Sequence, residues 1–148
     1  MSYLVDTNLL LRLAEPKHSM YSVVLNATDV LRTRRELLGI VPQNLIEFWA
    51  VATRPRANNG LGMTIDKATT ELMSLKALFV LLLDEPSVFS EWEKLVVQYR
   101  VSGKQAHDAR IVAAMKVHGV THLLTFNTDD FKRYTDIEAV HPASIAAP

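Results

Sequence analysis

Four separate stretches of the chain place acids or amides near the point where an apolar run gives way. They are Asp6 in YLVDTN, Glu47 in PQNLIEFW, Asp108 in QAHDARIVAAM, and Asn127, Asp129 and Asp130 in LLTFNTDDFKRY. Taken singly, each has an ordinary structural explanation. Asn and Asp favour turns and helix N-caps, and an acid near a helix start complements the dipole by about 0.3–1 kcal/mol. Glu47 resists that explanation. Leu45, Ile46, Phe48 and Trp49 flank it, and a carboxylate on an apolar helix needs a partner to offset its desolvation. Acids sharing one rim would repel and shift each other's pKa unless a cation stood among them. Oxygen donors in a chain without cysteine select a hard ion, Mg²⁺ or Mn²⁺, over Zn²⁺. A divalent ion that keeps several waters suits phosphodiesters, because it orients an attacking water and offsets charge on the phosphate.

The elements that would have to position these residues can be read from apolar runs and turn residues. Strands are expected at Tyr3–Val5, Leu38–Val41, Phe79–Leu83, His122–Phe126 and Ile137–Val140. Helices are expected at Leu9–Ala14, before Pro16, and at Ser19–Glu36, ending in Arg32-Thr33-Arg34-Arg35. Pro42 opens a helix to about Thr53, as Pro does at a first turn, and Thr64 caps one to about Leu78. Ser87–Val101 and Gln105–His118 complete the set, with Gly119 suited to a C-cap. Pro55, Asn58, Asn59, Gly60 and Gly62 mark Arg54–Gly62 as a loop. Strands that alternate with helices and read as continuous Leu/Val/Ile runs predict a mainly parallel sheet covered on both faces. Ligands of such sheets sit outside the carboxyl ends of the strands. Asp6 and the Asn127–Asp130 segment follow strands, and Glu47 lies early in a helix leaving one. Asp108 begins the helix that feeds the fourth strand and must run back against it. All four positions are therefore expected on one edge.

At 148 residues the chain is expected to form one domain over residues 1–148, large enough for a sizeable core. The longest purely apolar stretch, Ala77–Leu83, is far too short to cross a bilayer. Met1-Ser2 leads straight into a strand-like segment without a basic n-region. With no cysteine, disulfide scaffolds and thiolate metal sites are excluded; a cytoplasmic protein is the expectation. The formal net charge is zero, whereas binding nucleic acid by blanket neutralisation calls for a basic excess. A polyanion would have to be held by local patches or through a bound cation.

YLVDTN, NLIEFW and HDARIVAAMKVHGVTHLLTFNTDDF, in that order and spacing, together with the total length, resemble a PIN-domain ribonuclease across essentially the whole chain. The nearest resemblance is to the VapC-type toxins of bacterial toxin–antitoxin pairs. It implies a three-layer α/β/α sandwich, Mg²⁺- or Mn²⁺-dependent RNA cleavage, inhibition by a cognate antitoxin, and a homodimer. By the same resemblance Asp6 and Asp108 match the principal metal ligands. Glu47 matches a further acid that binds metal directly or through water, and Thr7 and Asn8 match polar residues that brace the site. Many family members carry Asp two residues after the Thr that ends the fourth strand; here Thr125 is followed by Asn127. Other relatives have Asn there and an acid just before Phe, the place of Asp130 beside Phe131. The fourth corner is thus Asn127 facing the site, with Asp129 or Asp130 as auxiliary. The resemblance leaves the RNA open, a tRNA or rRNA loop being the analogy.

Arg54 and Arg56, at the end of the Glu47 helix, are candidates for RNA phosphates. Arg32, Arg34 and Arg35 read as a solvated helix end that complements the dipole, and Phe48 and Trp49 as core. His107 stays outside the catalytic set, and Arg110 is placed to pair with a site carboxylate. Two other functions compete. In a catalytically silent PIN-like module that binds RNA or protein, Asn127 would mark the lost activity. A phosphohydrolase or phosphoacceptor domain would use an Asp after a parallel strand, but Asn8 stands where the former needs a second Asp, and Asp84-Glu85-Pro86 suits the latter poorly.

Overall fold

The computed structural model describes residues 1–145; the last three positions of the unit expected over 1–148 lie outside the described residues. In chain order the elements are β1 (Ser2–Val5), α1 (Thr7–Leu13), α2 (Tyr21–Thr33), β2 (Leu37–Ile40), α3 (Pro42–Thr53), α4 (Ile65–Leu78), β3 (Val80–Leu81), α5 (Ser87–Gln98), α6 (Gln105–His118), β4 (His122–Leu124) and β5 (Glu138–Val140). Short 3₁₀ turns fall at Arg56–Asn58, Thr128–Phe131 and Pro142–Ser144. The sheet order is β3-β2-β1-β4-β5 and every pairing is parallel. The expected mainly parallel sheet is therefore parallel throughout the described strands.

Alternation along the strands divides the core. Tyr3, Val5, Leu38, Ile40 and Leu124 face one layer with Leu9, Leu10, Val24, Leu31, Phe48 and Leu75 of α1 to α4. Leu4, Leu123 and Val41 face the other with Leu95, Ile111, Val112 and Met115 of α5 and α6. This is the three-layer α/β/α sandwich. Phe48 is fully buried and Trp49 half-buried. In α6, Ala109 to Met115 are all buried except Arg110, so the helix carrying Asp108 is embedded rather than laid on the surface. Gly119 closes it in the left-handed region at φ 69°, as its sequence position predicts.

Helix ends differ from the sequence expectation in a regular way. The helix expected to Glu36 stops at Thr33 and that expected to Val101 stops at Gln98. Arg35 (φ 60°) and Arg100 (φ 52°) turn left-handed, and the N–H groups of Glu36 and Val101 then bond back to the carbonyls of Leu31 and Val96. A C-terminal reversal of this kind normally advertises itself with glycine; arginine leaves no mark. The third strand, expected over Phe79–Leu83, contracts to Val80–Leu81, because Phe79 is taken as the C-cap of α4.

Candidate active site

All strands run the same way, so their carboxyl ends share one edge. β1 lies between β2 and β4, and the chain crosses from one side of it to the other. That change of direction opens a crevice in a parallel sheet. Asp6 leaves β1 at this point and Thr125 follows β4 beside it, held by its N–H to the Val140 carbonyl at 3.0 Å. Thr125 is fully buried, and its hydroxyl donates to Asp6 Oδ2 at 2.7 Å. The Thr7 N–H donates to Asp6 Oδ1 at 2.8 Å, which makes Asp6 the N-cap of α1 as well as the centre of the site.

Glu47 is reached through α3. Pro42 at the first turn and the Asn44 carboxamide, which accepts from the Val41 N–H at 2.9 Å, start that helix at the carboxyl end of β2. Asn44 Nδ2 then donates to Thr7 Oγ1 at 3.2 Å, and Thr7 Oγ1 donates to Glu47 Oε1 at 3.4 Å. Thr7 therefore joins Asp6 to Glu47. Asn8 braces the other side: its Nδ2 donates to Thr125 Oγ1 at 3.4 Å and its Oδ1 accepts from the Phe126 N–H at 3.5 Å. Asp108 sits in the first turn of α6.

The electrostatics show that these acids share a field. Burial raises the Asp6 pKa and the charge of Asp130 adds to the rise, against the hydrogen bonds from Thr125 and Thr7. Glu47 is raised by burial first and by Asp6 second, with Gln43, Thr7 and His107 opposing. Asp108 is pushed up to about 6, by burial and then by Asp6, Asp130 and Glu47. Crowded, partly desolvated carboxylates that raise one another's proton affinity are a mark of functional sites.

The three candidates for the fourth corner differ in their partners. Asn127, Asp129 and Asp130 are all exposed, Asn127 just before the 3₁₀ turn Thr128–Phe131 and the two acids within it. Asp129 forms a 2.6 Å ion pair with Lys132, which lowers its pKa. Asp130 instead acts on both Asp6 and Asp108. Asn127 contributes backbone: its N–H donates to Thr125 Oγ1 at 3.0 Å and its carbonyl accepts from the Asp130 N–H at 3.1 Å. Arg110 does not pair with a site carboxylate; it reaches Asp84 Oδ2 at 3.2 Å and Gln43 Oε1 at 3.2 Å. Arg110 lies two residues past Asp108, about 200° round a helix of 3.6 residues per turn, so the two side chains leave α6 on different faces. Arg54 and Arg56 are exposed beyond the C-terminal end of α3, with Arg54 about 10 Å along the axis from Glu47 at 1.5 Å per residue.

Gln43, Asn44 and Thr125 are parts of the site that the sequence reading did not single out. The signal existed for Gln43, which precedes Glu47 by four residues and so shares its helix face. Among the described residues, no three His, Asp or Glu side chains close into a ready-made metal cage. The donor set nevertheless fits a hard divalent ion. All its donors are oxygens, both hydrogen bonds to Glu47 use Oε1, and a cation would relieve the mutual repulsion that raises Asp6, Glu47 and Asp108.

Comparison with known proteins bears on the fold. The PIN domain family model matches residues 3–137. No curated protein matches the sequence. VapBC2 from Rickettsia felis, solved with a promoter DNA fragment, superposes with TM-score 0.73 at 14% identity, covering 95% of this chain and 98% of that one. VapBC-1 from nontypeable Haemophilus influenzae gives 0.68 at 16%, covering 96% and 98%. VapC20 from Mycobacterium tuberculosis, a toxin that cleaves the sarcin–ricin loop, gives 0.60 at 17%, covering 86% and 92%.

Proposed function

Because the chain belongs to the PIN domain family, we propose that it is a metal-dependent endoribonuclease, the toxin of a toxin–antitoxin pair. The observation that carries this reading is the convergence of Asp6, Glu47 and Asp108 at the switch point of the sheet, each with its proton affinity raised by burial and by its neighbours. Asp6 and Asp108 would hold Mg²⁺ or Mn²⁺, with Glu47 as the third acid and Asn127 and Asp130 at the fourth corner; Asp129 stands aside with Lys132. The bound ion supplies a Lewis acid for the phosphate and lowers the pKa of a water. Thr125 and the Thr7 N–H orient Asp6. Glu47, with a raised pKa, is suited to take the proton of the attacking water at Oε2.

This reading answers the charge problem, since a neutral chain gains its local positive field from the cation. Arg54 and Arg56 are proposed to contact RNA phosphates beyond the acids. The likeness to VapBC assemblies supports an antitoxin protein as partner; a homodimer and a cytoplasmic place of action belong to the same proposal. The likeness to a toxin that cleaves a ribosomal loop supports a tRNA or rRNA loop as substrate, in keeping with the preference of specific RNA readers for unpaired loops.

The test is cleavage of total RNA by purified protein with Mg²⁺, Mn²⁺ or EDTA, with Asp6→Asn in parallel. Discrete fragments that vanish in EDTA and in the variant are expected. Equal cleavage by Asp6→Asn overturns the assignment of the site. The uncharged, exposed Asn127 favours a second reading, a silent module that binds RNA or protein without turnover; intact RNA together with no specific Mn²⁺ uptake would select it.

A further inference from the structure

Glu47 and Asp108 come from different helices, and neither α3 nor α6 by itself sets their separation. One side chain spans the gap. Gln43 is buried, with 8% of its surface exposed, and its Nε2 carries two hydrogens. One is donated to Glu47 Oε1 at 3.3 Å and the other to the His107 carbonyl at 2.8 Å. Its Oε1 accepts from Arg110 Nη1 at 3.2 Å, and Arg110 Nη2 is tied to Asp84 Oδ2 at 3.2 Å.

A carboxamide can present either end to a neighbour. Turned over, Gln43 would aim its oxygen at the Glu47 carboxylate and at a carbonyl, and its N–H groups at a guanidinium; all three contacts would be lost. Arg110 has only donors, so it accepts one orientation of the amide and rejects the other. Asp84 in turn holds the guanidinium fork. The sequence Asp84–Arg110–Gln43 thereby carries a fixed hydrogen-bond polarity from the loop after β3 to Glu47 and to the backbone just before Asp108.

On the reading of the site given above, we propose that Gln43, locked in orientation by Arg110 and Asp84, is a positioning residue that sets the spacing of the Glu47 and Asp108 carboxylates for a divalent ion. It touches neither the substrate nor the ion; it acts on the first through Glu47 and on the second through the backbone of His107. Groups that orient metal ligands in this way are worth about 10- to 100-fold in metal affinity.

The test is Mn²⁺ titration of the full chain at pH 7.5, read from the paramagnetic resonance of the free ion, without RNA. Gln43→Met keeps the volume and removes every hydrogen bond; its Mn²⁺ affinity is expected to fall about 10- to 100-fold. Arg110→Met, at a side chain 37% exposed, tests the lock if Gln43→Met does not fold, and a drop of severalfold is expected. Arg110→Lys keeps the charge but not the fork, and should resemble Arg110→Met rather than wild type. Val24→Ala, in the buried face of α2, weakens the fold far from the acids and should leave the affinity unmoved. Wild-type uptake with equal uptake by Gln43→Met and Arg110→Met overturns the positioning role alone. A wild-type protein that takes up no Mn²⁺ overturns the metal reading, and this proposal with it.

Discussion

Asp108→Asn is expected to make the metal-free protein more stable, and the size of the effect follows from the site. The Asp108 carboxyl is pushed up to about 6 from 3.8 by burial and by the charges of Asp6, Asp130 and Glu47, with no hydrogen bond among the causes. In the folded chain it therefore binds its proton more tightly than in the unfolded chain. Between pH 3.8 and about 6 the folded state holds the extra proton, so stability falls as pH rises through that window. Below it the term vanishes, and above it the whole penalty is present. Two pH units correspond to roughly 3 kcal/mol; solvent screening of a half-buried group reduces this to about 1–2 kcal/mol. For a chain of this size that is about 2–6 °C in melting temperature. Thermal unfolding in EDTA at pH 7.5 should place the variant above wild type by this margin, and at pH 3.5 the two should coincide. Saturating Mn²⁺ should reverse the order, since ligand at about 100 times its Kd adds about 2.7 kcal/mol to a protein that binds it. A variant less stable than wild type at pH 7.5 in EDTA, or a gap that does not change with pH, refutes the crowded-acid account.

Thr125→Val keeps the shape of a buried side chain but removes the donor to Asp6 Oδ2 and the acceptor for the Asn127 N–H. Denaturant unfolding should show a loss of about 1–3 kcal/mol. Asp129→Asn loses only an exposed pair with Lys132 and should leave RNA cleavage and Mn²⁺ uptake within twofold of wild type. Asp130→Asn, which removes a charge acting on Asp6 and Asp108, should lower Mn²⁺ affinity; the opposite order would reassign the fourth corner. Gly60→Ala would set a Cβ 2.0 Å from the Arg54 carbonyl oxygen, so the loop after α3 must open, and thermal unfolding should register the loss as a melting point several degrees lower.

The order of strands and helices and the parallel sheet were legible in the sequence because both are local. Apolar runs of strand length, Pro42, Thr64 and Gly119 mark their own elements, and a parallel sheet then sends Asp6, Glu47, Asp108 and the Asn127 segment to one edge whatever the packing details. Helix ends closed by Arg35 and Arg100 were not legible, because their left-handed turn carries no glycine. Nor could spacing alone choose among Asn127, Asp129 and Asp130. Their surroundings differ only in the folded chain, where Asp129 pairs with Lys132 while the charge of Asp130 acts on Asp6 and Asp108. The partners of Arg110 lay furthest from view. Gln43 is 67 residues away, and its contact with the His107 carbonyl spans 64. Such bonds depend on how two helices meet across the ends of a sheet, a relation that side-chain types and periodicity specify only after the whole chain has folded.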